Sequence, residues 1–155
     1  MIEEKAGVYR FPLRSYQEYL AACYFTGRND FPRNLIQEVE SDPDLWREVL
    51  LLAAGKSSEF PAMAWALLDG LVPWEPEEET TADDPRFKAV LLAGQAILEN
   101  KLWSDVQSPD DRKLERIGHW LEQLLICGAL SPADRTEAGR ILGPDQAHGI
   151  TAIGS

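Results

Sequence analysis

Residues 42–54, DPDLWREVLLLAA, decide the fold. Asp42 can accept a hydrogen bond from an amide of a first helical turn. Pro43, directly after it, loses nothing at a position where its missing N–H had no partner. From Leu45 to Ala54 the apolar side chains then come nearly all the way round the helix axis. That pattern belongs to a central helix with neighbours on several sides.

The same punctuation recurs outward from this stretch. Asp84-Pro85, Ser108-Pro109 and Ser131-Pro132 again place a capping residue before proline. Ser15 with Glu18 forms an S-x-x-E box, which predicts a helix start at Ser15. Apolar residues follow helical spacing at Tyr16, Tyr19, Leu20, Cys23 and Tyr24. They do so again at Phe87, Val90, Leu91, Gly94, Ile97 and Leu98, and at Leu114, Ile117, Gly118, Leu121, Leu124 and Leu125. Gly27, Gly55, Gly70, Gly128 and Gly143 stand where left-handed C-caps are expected. The reading is all-α: about seven helices near 16–26, 32–40, 43–54, 59–69, 85–101, 109–127 and 132–142, stacked as helical hairpins. One short β-hairpin near the N-terminus is compatible with it, with Gly7–Phe11 as the strand candidate. An echo of Asp42-Pro43…Leu50-Leu51-Leu52-Ala53 in Asp84-Pro85…Leu91-Leu92-Ala93, about forty residues on, fits two-helix repeats. Tyr19, Leu20, Cys23, Leu50, Ala53, Leu91, Leu121 and Leu124 are the expected core.

One stretch breaks the helical pattern. Pro73–Asp84 holds six acids and no base and reads as a solvated loop or linker between a first helical group, 1–72, and a second, 85–150; one compact domain is the alternative. The whole chain of 155 residues carries 15 basic and 26 acidic side chains, net −11. Such a charge argues against nucleic acid or an anionic membrane as partner. Met1–Lys5 has no apolar core and predicts no secretory signal, and no apolar run approaches the ~20 residues that span a bilayer. Two cysteines make no disulfide framework, which points to the cytoplasm.

Residues for catalysis are few. His119, with Glu115 and Glu122 on neighbouring turns, reads as an exposed helix residue, and His148 lies in a glycine-rich tail without a partner. Cys23 and Cys127 end or follow apolar stripes, as buried hydrophobes do. There is no H-x-x-x-H or C-x-x-C metal spacing and no phosphate-binding glycine loop, so no catalytic, cofactor or metal site is expected. Trp46, Trp65 and Trp120 fall inside helices and read as core, whereas Trp74 and Trp103 lie beside loops and suit a partner contact.

Residues 9–25, YRFPLRSYQEYLAACYF, resemble the F-x-H-x-[ST]-F-Q-E-Y-[LF]-A-A signature of NACHT-type proteins in the STAND class of signalling NTPases. Phe11, Ser15, Gln17, Glu18, Tyr19, Leu20, Ala21 and Ala22 match it, and Tyr16 stands where phenylalanine is usual. The stretches 42–56, 90–99 and 133–143 resemble the helical region that, in bacterial NACHT proteins, leads to a formylglycine-generating-enzyme-like sensor. The resemblance implies that the first segment is the remnant of a winged-helix unit and that the rest is the helical region beyond the ATPase core. Leu13 replaces the family's nucleotide-contacting histidine, so that role does not carry over. The motif L-G-D-P-R-x-G-V of the family is altered at Leu142–Ile150, where its arginine is missing.

These observations imply a non-enzymatic coupling or interaction module with protein partners, an ATPase core, a sensor domain or both, in cis or in trans. The candidate contact residues are Arg14, Gln17, Trp74, Glu77, Glu78, Glu79 and Trp103. The alternative is a free-standing acidic protein of the immunity or inhibitor type that neutralises a basic partner, its acidic loop steering the encounter. A small hydrolase built on His119 is disfavoured by the missing nucleophile–base pattern.

Overall fold

A computed structural model describes residues 2–4, 8–10, 13–77, 80–102 and 110–143. The capping signals set the helix starts. Asp42 accepts from the Leu45 amide at 3.2 Å ahead of helix α3 (Pro43–Ser57), and Ser131 accepts from the Asp134 amide at 3.1 Å ahead of α7 (Pro132–Ile141). Asp84 accepts from the Arg86 amide at 2.9 Å, and α5 runs Arg86–Glu99. The remaining helices are α1 (Leu13–Thr26), α2 (Arg33–Ser41), α4 (Pro61–Leu71) and α6 (Asp110–Cys127). Two short strands, β1 (Ile2–Glu4) and β2 (Val8–Arg10), pair antiparallel, with Ile2 opposite Arg10 and Glu4 opposite Val8. Apart from that short hairpin, the described residues form a bundle of seven helices, an all-α fold.

Cross-helix contacts fix how the helices stack. Lys88 reaches Asp44, Arg47 reaches Gln95, and Gly55 lies against Asn100, so α3 and α5 run parallel with an offset near 45 residues. Lys88 also reaches Asp134, and Gly94 lies under Ile141, which sets α7 parallel to α5. Helices α3, α5 and α7 therefore form one layer. Helices α4 and α6 form the other, joined where Arg116 pairs with Asp69. Each of α3–α4 and α5–α6 is a hairpin, and the hairpins stack.

Burial follows from that position. On α5 every residue from Val90 to Ile97 is buried, as is Phe87, because the helix has neighbours on all sides. One continuous apolar core runs from Ala22 through Leu50, Leu68, Leu91 and Leu121 to Ile141. No helix among the described residues is long and apolar enough to cross a membrane.

Three expectations are corrected here. Helix α1 begins at Leu13, so Ser15 is its third residue and does not cap it. Gly55 and Gly70 lie inside α3 and α4. They are needed for close approach: a Cβ on Gly55 would sit 3.0 Å from the Asn100 amide oxygen, and one on Gly70 would meet the Ile36 side chain. Gly128, by contrast, has φ +68° just beyond α6, the left-handed conformation in which glycine carries no Cβ penalty. Finally, Tyr19 and Leu20 are exposed and Cys23 is half-buried, whereas Leu50, Ala53, Leu91, Leu121 and Leu124 are buried as expected.

Candidate functional site

Helix α1 explains its own anomaly. It packs antiparallel on α3, with the Phe25 ring edge-on to Trp46 at 5.6 Å and Tyr19 near Lys56 at the far end of α3. The face turned inward carries Ala22, fully buried, with Phe25 and Ala21 partly covered. At 100° per residue Leu13, Leu20 and Tyr24 of the stripe lie opposite Ala22, and Tyr16 and Tyr19 lie on one flank. Those five residues are between 47% and 64% exposed. Sequence periodicity identified an apolar stripe correctly but could not say which face the bundle would cover. The small Ala21 and Ala22 side let the two helices approach closely. Two of the candidate contact residues, Arg14 and Gln17, are exposed on this helix. With Glu18, Ala21, Leu45, Trp46 and Val49 they line an open groove of about 500 Å³ between α1 and α3.

The acidic segment behaves differently. Trp74 is half-buried rather than a free contact residue: its carbonyl accepts from the indole N–H of the fully buried Trp120 at 2.8 Å. Arg86 stands between the two rings, 5.8 Å from the Trp74 centroid and 4.9 Å from that of Trp120. Its guanidinium grips Asp84 through Nη2 at 2.7 Å and Nε at 3.0 Å, and reaches Glu77 at 3.2 Å. Arg116 holds Asp69 and, at 3.6 Å, Glu75, while the Cys127 thiol donates to the Thr80 carbonyl at 3.0 Å. The described residues of this loop are thus pinned at five places by α5 and α6. The six carboxylates are legible in the sequence, whereas their partners Arg86 and Arg116 lie in later segments that local pattern does not connect to them. Glu78, Glu79 and Trp103, also candidates, lie outside the described residues.

A third polar feature crosses the α3–α5–α7 layer. Lys88 bridges Asp44 at 3.2 Å and Asp134 at 3.7 Å, and Arg47 Nε donates to the buried Gln95 side chain at 3.1 Å. Glu137, paired with Arg140 (Nε···Oε2 2.9 Å) and hydrogen-bonded by Gln95, continues the ladder. It ties three parallel helices in register.

Two carboxyls are held below their ordinary range: Asp84 by the Arg86 hydrogen bonds and Glu137 by Arg140, in both cases against an opposing burial effect. A carboxylate with a lowered folded-state pKa contributes stability that is complete above its unfolded pKa, about 3.9 for Asp and 4.3 for Glu, and is lost as pH falls through the folded value. Thermal melting should therefore be flat above about pH 5 and fall progressively below it. Asp84→Asn should lower the neutral-pH melting point and flatten the acid limb; an unchanged acid limb would show that the Asp84–Arg86 grip is not what the acid breaks.

No group of histidine, cysteine or carboxylate side chains among the described residues could hold a metal ion. His119 is exposed on α6. No family model matches the chain, and neither a curated protein nor a solved structure is found to be similar to it.

Proposed function

We propose that this chain is a non-enzymatic helical coupling module of a STAND, NACHT-type signalling protein, working in the cytoplasm between an ATPase core and a sensor domain. One observation carries the reading: the helix bearing the signature-like segment, α1, turns its tyrosine- and leucine-rich stripe outward. A contiguous exposed apolar stripe along a helix marks a contact with another protein. The polar ladder supports the mechanical side. A displacement of α3 by a partner on α1 is carried to α5 and α7 through Lys88, Arg47 and Gln95 because packed helices shift as discrete units. The acidic-binder alternative has less to draw on, since Glu77 and Asp84 are paired with Arg86. The purified chain is expected to neither hydrolyse ATP nor change its melting temperature with ATP or ADP. Turnover that tracks the protein through purification would overturn the coupling reading.

A further inference from the structure

We draw no further inference here: the strongest candidate, the polar cleft of about 510 Å³ over α5 between α3 and α7, belongs to the charge ladder already described, in which Lys88 pairs with Asp44 and Asp134, Arg140 with Glu137 and Arg47 with Gln95, and nothing in the structure shows what ligand would replace those partners.

Discussion

Trp120→Ala is expected to lower the free energy of unfolding by about 3–5 kcal/mol, the usual cost of emptying a large aromatic site. Trp120 is fully buried on α6, edge-on to Phe87 at 5.7 Å, under the Arg86 guanidinium, and bonded through its indole N–H to the Trp74 carbonyl. Its removal opens a cavity against α5 and also unfastens the loop. Since single domains are stable by only about 5–15 kcal/mol, a loss of this size should be plain in urea denaturation. Trp120→Phe keeps most of the apolar area and orphans one carbonyl, so it should cost less, about 1–3 kcal/mol. Proteolysis within the 73–84 segment should accelerate in both variants, because the hydrogen bond to Trp74 is gone in each. A loss under about 1 kcal/mol for the alanine change would mean that this ring is not a keystone of the core.

Leu50→Ala and Leu20→Ala should differ sharply, although both leucines sit on apolar stripes of neighbouring helices. Leu50 is fully buried in α3, and its truncation should cost about 2–5 kcal/mol. Leu20 is 48% exposed on α1, so its truncation should change stability by no more than about 0.5 kcal/mol. Chemical denaturation of the two variants side by side decides the point. Comparable losses would show that the outer face of α1 is packed in solution, by a second copy or by another part of the chain.

That contrast also marks the boundary of what the amino-acid pattern discloses. Helix starts at Pro43 and Pro132 were readable because the interactions that make them, Asp42 to Leu45 and Ser131 to Asp134, span three residues. The sequence puts the start of α4 two residues early because Pro61 has no capping side chain before it; Phe60 stands there and makes no cap bond. The S-x-x-E box at Ser15 is a local option that α1 does not use. The stacking of hairpins was foreshadowed by the echo between 42–53 and 84–93, and the parallel α3–α5 pair is its physical form. The candidate site was legible only in part. Arg14 and Gln17 lie on the exposed helix, but the orientation of that helix depends on long-range packing that periodicity does not encode. Trp74 illustrates the converse. Its position beside proline and acids looked solvent-facing, and only Trp120, 46 residues on, and Arg86 reveal why it is drawn in.

The parallel α3–α5–α7 layer has a kinetic consequence. Each helix in it meets a neighbour displaced by roughly one hairpin in sequence, so the loops to be closed within this layer are of nearly uniform, moderate length. Topologies of this kind fold by nucleating one hairpin and adding the next, with stability passed between nearest neighbours. Helix α5, which touches α3, α4, α6 and α7, is where such growth has two directions open to it. Helix α1, resting chiefly on α3, adds at the edge, and a substitution there should alter the unfolding rate more than the folding rate.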